Sequence, residues 1–376
     1  MRFTELPTPC FIVDEKRLVQ NLAVLRGVAD RTGAKILLAQ KAFSMFSVYP
    51  LLREYLAGTT ASGLYEARLG KEEFGGETHV YSPAYAEREF GEILHYADHI
   101  VFNSFNQWKA YGNLARAAGK SCGLRLNPEC STQPAEHAMY DPCGPTSRLG
   151  ITEANFQPEL LGGIEGFHFH TLCEQNADDL VRTVAAFEER FGEYMEGIKW
   201  LNLGGGHHIT RDDYDVETLI KCICYLRDKY NVQIYLEPGE AVVLNAGYLV
   251  STVLEVMHNG KDIAILDTSA ACHMPDVLEM PYRPPVWRAG EPGKKAFTYL
   301  LTGRSCLAGD VIGEYSFDTR LFEGEQVVFG DMALYTMVKT NTFNGVPLPL
   351  IAIRRADGTD EAVRMFDYED FKGRLS

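Results

Sequence analysis

Short apolar runs recur along the first two thirds of the chain at helix-length intervals, and almost every one stops at a polar or ionisable residue. In order they are KILLAQK (35–41), GTTAS (58–62), THVYS (78–82), HIVFN (99–103), CGLRLN (122–127), IEGFHFH (164–170), WLNLGGG (200–206) and QIYLEPG (233–239). Runs this short, divided by sequence that reads as loop or helix, are strands of a βα series. Eight of them predict a (β/α)8 TIM-like barrel, which gathers its chemistry at the carboxyl ends of the strands. Here those ends carry Lys41, Ser62, Asn103, Asn127, His168 and His170, Gly204 to Gly206, and Glu237, a set too polar to serve packing alone.

Helices are expected over 44–56, 65–74, 86–96, 105–118, 176–191 and 213–230, with 128–163 as an irregular insertion. Ahead of the barrel, PCFIVD (9–14) reads as a strand. Asp14 is placed to cap a helix running to about Asp30, striped by Leu18, Leu22 and Leu25. From Ala246 the rhythm changes to β runs divided by Gly, Pro and Asp turns: YLVSTVLEVMH, IAILDT, AFTYLLT, DVIGEY, QVVFGD, YTMVKT and LIAIRR. The expected organisation is a barrel over 14–245 and a C-terminal β-rich domain over 246–376, joined by residues 1–13 with PCFIVD in its sheet.

Composition narrows the function. With 36 basic and 51 acidic residues the net charge is −15, and no basic run tracks phosphates, which argues against nucleic acid and anionic membranes as partners. Nine cysteines at irregular spacing form no disulfide framework and read as the reduced thiols of a cytoplasmic protein. The N-terminus lacks the pattern of a signal peptide, and no apolar run approaches the ~20 residues that span a bilayer.

A lysine desolvated at a barrel mouth has a lowered pKa, and its neutral amine forms a Schiff base with an aldehyde, which is the functional reading of Lys41. On position alone a solvent-facing lysine at a loop start is the better reading of Lys41, and the residues that follow reverse that preference. Three glycines at 204–206, where a strand is expected to turn into a helix, offer unhindered N–H groups to a phosphate. Glu237 at the next strand end is placed to pair with a pyridinium nitrogen. Together these describe a site for pyridoxal 5'-phosphate, with no metal required.

Over nearly its whole length the sequence resembles the fold-type III, alanine-racemase-like decarboxylases, which include ornithine and diaminopimelate decarboxylases. The resemblance implies Lys41 as the Schiff-base lysine and His170 of GFHFHT as the ring-stacking histidine. It further implies Gly204, Gly205 and Gly206 as the phosphate loop and Glu237 of EPG as the pyridine partner. In GRSCLAGD it implies Cys306 as the catalytic proton donor, and in MALYTMVKTNTFNG it implies Tyr335 as a phosphate ligand. It implies a homodimer whose two sites are shared between subunits.

The departures carry information too. Glu240 follows EPG where those enzymes usually have an arginine, and Cys173 stands where they have a serine, so both phosphate ligands are replaced. Glu240 is expected to turn toward a cationic substrate. Leu307 after the cysteine departs from the acidic residue of the ornithine and diaminopimelate enzymes. HMPDVLEMPYRP and EPGE look most like the carboxynorspermidine/carboxyspermidine branch of the family, which implies a cationic carboxylated triamine substrate. Asp276 is the expected amine contact, with Glu279 and Asp310 as further candidates; Asp276 also reads as a turn residue at a helix start, and His273 as a satisfied polar residue.

Three other readings compete. An amino acid racemase on the same fold would pair the ring nitrogen with arginine rather than Glu237. A metal-dependent hydrolase would use His168 and His170 as an H-x-H pair but leaves Lys41, the glycines and EPG without a role. A binding protein on this scaffold would not need both Lys41 and Cys306.

Overall fold

The computed structural model describes residues 3–376. The first strand, β1 (Cys10–Asp14), runs into a helix over Glu15–Thr32, and Asp14 Oδ1 accepts from the Arg17 N–H at 3.1 Å to cap it. The expected stripe is present: Leu18, Leu22, Leu25 and Val28 are fully buried.

All eight expected strands form. They are β2 (Lys35–Ala39), β3 (Gly58–Ala61), β4 (Glu77–Tyr81), β5 (His99–Phe102), β6 (Ser121–Arg125), β7 (Gly166–His168), β8 (Trp200–Asn202) and β9 (Gln233–Leu236). Each pairs in parallel with the next, and β9 returns to β2 to close the barrel. Inward positions alternate along each strand, as a period of two requires. Leu37, Val101, Trp200 and Tyr235 fill one interior layer. Trp200 needs glycine opposite it: a Cβ on Gly123 or Gly166 would lie 2.3 or 2.0 Å from the indole.

The second sheet begins with β10 (Gly247–Asn259), followed by β11 (Lys261–Leu266), β12 (Phe297–Thr302), β13 (Val311–Phe317), β14 (Gln326–Gly330), β15 (Leu350–Arg354) and β16 (Asp360–Arg364). Its order is β13-β12-β11-β10-β1-β15-β16, with β14 also on β10. The N-terminal strand thus joins this sheet, antiparallel to β10 and parallel to β15. Its two faces serve two cores, Phe11 packing with Leu249, Leu301 and Phe329, and Cys10 and Ile12 with Val250, Val328 and Ala352.

Residues up to Gln20 with Val243–Ser376 form one compact unit, and Asn21–Val242 form the other. The division falls at 20/21 and 242/243 rather than at 13/14 and 245/246, because the first helical turn is tied to the sheet. Arg17 Nη1 donates to the Asn245 carbonyl at 3.1 Å, and Glu15 Oε1 accepts from Arg355 at 3.2 Å.

Three local expectations change. The helix expected over 44–56 is cut to a short turn at Phe46–Val48 and a helix at Tyr49–Leu52. The helix after the glycines begins only at Val216, where Asp215 caps it, so no helix dipole adjoins Gly204–Gly206. YTMVKT is not a strand: Tyr335 has φ +47° and Met337–Lys339 form a 3-10 turn, a conformation that its β-branched composition conceals.

Candidate active site

Lys41 stands two residues past the end of β2, in a turn closed by Ala42 N–H to Ala39 O at 3.1 Å. Buried Gln40 fixes that turn, donating to Glu66 O at 2.7 Å and accepting from Tyr49 Oη at 3.1 Å. The Lys41 side chain is open to solvent. Protein nevertheless surrounds its amine closely enough that lost hydration, and next the Arg125 charge, push its pKa below the ordinary lysine value, while Glu237, Glu240 and Cys173 push back. An accessible amine with an enlarged neutral fraction is what an aldehyde-binding lysine needs.

Glu237, one residue past β9, is buried and accepts from Asn202 Nδ2 at 2.7 Å. Its second oxygen lies 3.3 Å from His168 Nε2. Burial works against the charged carboxyl, but His168 beside it outweighs burial and holds Glu237 below the usual carboxylate range. Burial in turn lowers His168, with Glu237 opposing. Glu237 is therefore a fixed anion beside an imidazole.

His170 sits beyond the end of β7, half-buried, with Nδ1 accepting from the Gly205 N–H at 3.0 Å. Desolvation, then Lys41 and Arg125, push its pKa well below the ordinary value. The ring is thus neutral, with its proton on Nε2 and its plane held by the glycine turn. Each glycine there is obligatory. A Cβ on Gly204 (φ +69°) would lie 2.5 Å from Phe169 O, on Gly205 2.0 Å from Glu237 O, and on Gly206 (φ +85°) 1.8 Å from Leu172 O. Asn202 Oδ1 accepts the Gly204 N–H at 2.9 Å and His170 the Gly205 N–H. Among the described residues the Gly206 N–H has no acceptor.

Arg125 escaped the sequence reading. It ends β6 buried, donates to His170 O at 2.8 Å and stacks 4.6 Å from the Tyr81 ring centroid. Its signal was an arginine inside the apolar run CGLRLN, in phase with the inward positions. Two other strand-end residues hold loops instead. Asn103 bonds Tyr81, Gly150 and Arg148, and Asn127 accepts from Glu129 N–H, which anchors the insertion. The Ser62 N–H donates to Glu66 at 2.6 Å.

The expected substrate contacts fare unevenly. Asp310 is corrected: buried, it accepts from Ser269, Ala270, Ala271 and Ser305, which leaves no lone pair for an amine. Glu240 lies with its Oε2 2.5 Å from His208 Nε2. Asp276 and Glu279 both bond Lys339, so a cation already occupies that pair. His273 is satisfied, bonding Thr268 and Pro347 O. Cys306 is exposed, and its N–H donates to Asn344 Oδ1 at 2.7 Å. Cys306, Tyr335, His273, Asp276, Glu279 and Asp310 belong to the sheet unit, and Lys41, His170, Gly204–Gly206, Glu237 and Glu240 to the barrel unit.

A family profile described as pyridoxal-dependent decarboxylase, C-terminal sheet domain, matches residues 10–333. The chain belongs to the pyridoxal-dependent decarboxylases. It is 44% identical, over the full length of both chains, to a carboxynorspermidine/carboxyspermidine decarboxylase of Campylobacter jejuni. It is equally 44% identical to a carboxyaminopropylagmatine decarboxylase of Synechocystis, covering 100% of this chain and 97% of that one. The crystal structure of carboxynorspermidine decarboxylase from Campylobacter jejuni, complexed with norspermidine, superposes with a TM-score of 0.92 at 44% identity, covering 98% of this chain and 100% of that one.

The cofactor of this decarboxylase family is pyridoxal phosphate, and the barrel mouth fits it on its own geometry. Among the described residues Lys41 has neither ion pair nor hydrogen bond, Glu237 is a buried anion, and the glycine turn admits no Cβ. Among the described residues no helix is long and apolar enough to cross a membrane.

Proposed function

We propose that this chain decarboxylates carboxynorspermidine and carboxyspermidine, releasing the triamines norspermidine and spermidine for polyamine biosynthesis. The observation that carries the reaction type is the charged, buried Glu237 in a barrel that also presents an unpaired Lys41 amine. The substrate class is supported by full-length identity to a relative of that name and by the norspermidine-bound structure.

Lys41 would hold the aldehyde carbon of the cofactor, Glu237 its ring nitrogen, His170 its ring face, and the Gly204–Gly206 turn, with Tyr335, its phosphate. Bound pyridoxal phosphate supplies the sink for the electron pair left when carbon dioxide departs. The chain does the rest. Glu237 remains anionic, so it would hold a proton on the cofactor's ring nitrogen. His170, neutral and fixed by Gly205, presents a flat face without adding charge. Cys306 Sγ delivers a proton to the α-carbon, and Asp276 with Glu279 receives a distal substrate ammonium in place of Lys339.

The acting form is a cytoplasmic homodimer with shared sites, a reading supported by family membership and by nine free cysteines. Carboxyaminopropylagmatine is the second substrate reading, favoured by the equally similar Synechocystis relative. Its guanidinium would suit a carboxylate fork such as Asp276 and Glu279. Carbon dioxide release with each substrate separates the two by kcat/KM. Cys306→Ala is expected to lower kcat ~100-fold with little change in KM; an unchanged kcat would remove the cysteine from the reaction.

A further inference from the structure

The glycine turn has an electrostatic problem. A phosphate monoester brings about −1.5 to −2 charges, and the turn already adjoins Glu237 and Glu240. No lysine or arginine occurs in the turn (204–208) or in the segments packed round it (169–175 and 237–240). Arg211 reaches the Glu174 carbonyl but is bonded to Asp213, and Arg125 reaches the His170 carbonyl but stacks on Tyr81. Cys173 offers no charge of either sign, since burial first and Glu240 next push its thiol up to about 12. Three histidines remain. His170 is committed through Nδ1 to Gly205. His207 is buried with Nδ1 on Tyr214 Oη at 2.7 Å, and burial lowers it to about 3.

His208 differs from both. Its Nε2 lies 2.5 Å from Glu240 Oε2, and a carboxylate only accepts, so that nitrogen carries a proton. Its Nδ1 has no partner among the described residues and is absent from their buried, unsatisfied atoms, so it keeps access to solvent. The residue stands two places after Gly206, whose N–H also has no acceptor. Glu240 and Cys173 both act on the Lys41 amine, which places the pair at the same barrel mouth.

We infer that His208, carried by Glu240, is the phosphate-facing cation of this site. Glu240 holds Nε2–H, the imidazole takes a second proton from solvent, and Nδ1–H donates to a phosphate oxygen beside the Gly206 N–H. Glu240 stays a carboxylate, so the pair is neutral and the carboxylate no longer repels the phosphate directly. The acidic residue after EPG then positions His208 through its Oε2. This rests on the decarboxylase reading and adds to it how the phosphate is held.

The test compares pyridoxal phosphate with pyridoxal, which lacks only the phosphate, in equilibrium titrations of the apoprotein followed by absorbance. His208→Phe is expected to weaken pyridoxal phosphate binding ~10- to 100-fold, the size of a lost charge-assisted hydrogen bond, and pyridoxal by less than about twofold. Glu240→Gln should produce a smaller loss of the same selectivity. If His208→Phe does not fold, judged by circular dichroism, His208→Gln keeps a donor for Glu240 but cannot carry charge, and the same selective loss is expected. An equal loss for both ligands would show a packing role, and no loss would show none; either overturns the inference. Wild-type protein that binds pyridoxal phosphate and releases carbon dioxide, while the variants keep the wild-type preference for pyridoxal phosphate over pyridoxal, overturns the inference and leaves the decarboxylase reading standing. Wild-type protein that binds no pyridoxal phosphate removes both.

Discussion

The two ends of the barrel are built from the same residue types and behave differently. At the amino ends of the strands, Glu77, His79, His99 and Lys35 surround Tyr235; at the carboxyl ends, Glu237, His168, His170 and Lys41 surround Asn202 and Arg125. Both glutamates are held below the ordinary carboxylate range against burial. The distinction lies in what each cation touches. Lys35 is bonded to Glu77, whose other oxygen accepts from Tyr235 Oη at 2.9 Å and lies 3.2 Å from His79 Nε2. Lys41 has no such partner. At the lower end the His79 and His99 rings stack at 3.9 Å and 10°, and the Nδ1 atom of each is buried without a hydrogen-bond partner among the described residues. The upper end leaves its amine without an ion pair or hydrogen bond among the described residues. A count of polar residues cannot separate a structural end from a reactive one, whereas the pairing of the lysine does.

Substitutions sharpen that contrast. Lys41→Ala should bring carbon dioxide release below detection and remove the cofactor's absorbance band from the purified protein, with the melting temperature nearly kept; a folded variant that retains both would erase the distinction. Glu237→Gln should keep the cofactor band while lowering kcat ~10²- to 10³-fold, the size of a lost preorganised charge. Trp200→Ala, under the lower layer, should do the reverse. It costs about 3–5 kcal/mol of stability through the cavity it opens, seen in thermal melts, yet leaves kcat of the folded fraction within about twofold.

The smallest effect is on pH. Burial lowers His99 to about 3. A base with a depressed folded pKa gives stability that is fully present above the ordinary histidine pKa of ~6.5 and is lost as pH falls toward the folded value, because the unfolded chain takes up the proton first. The melting midpoint should therefore fall from pH 6.5 to 4, and less steeply in His99→Gln. An identical slope in the variant would show that other groups set it.

Much of this was legible because strand ends are legible. Lys41, His170, the three glycines and Glu237 each close an apolar run, and the barrel brings such ends together whatever lies between. Residues whose role depends on a distant partner were not. The bond of Glu240 to His208, 32 positions away, is invisible along the chain. Asp310 read as a substrate contact until five donors from two loops enclosed it. Arg125 lay hidden inside a strand, where an arginine ordinarily argues against burial. The turn at Tyr335 was masked by β-branched neighbours, since propensity carries no record of a positive φ.

The most direct measurement is carbon dioxide release by the cofactor-loaded protein, with kcat/KM compared across carboxynorspermidine, carboxyspermidine, carboxyaminopropylagmatine, ornithine and meso-diaminopimelate. The account predicts that the first two lead and that the Lys41→Ala protein releases none. Release confined to ornithine or meso-diaminopimelate, or undiminished release from Lys41→Ala, would contradict it.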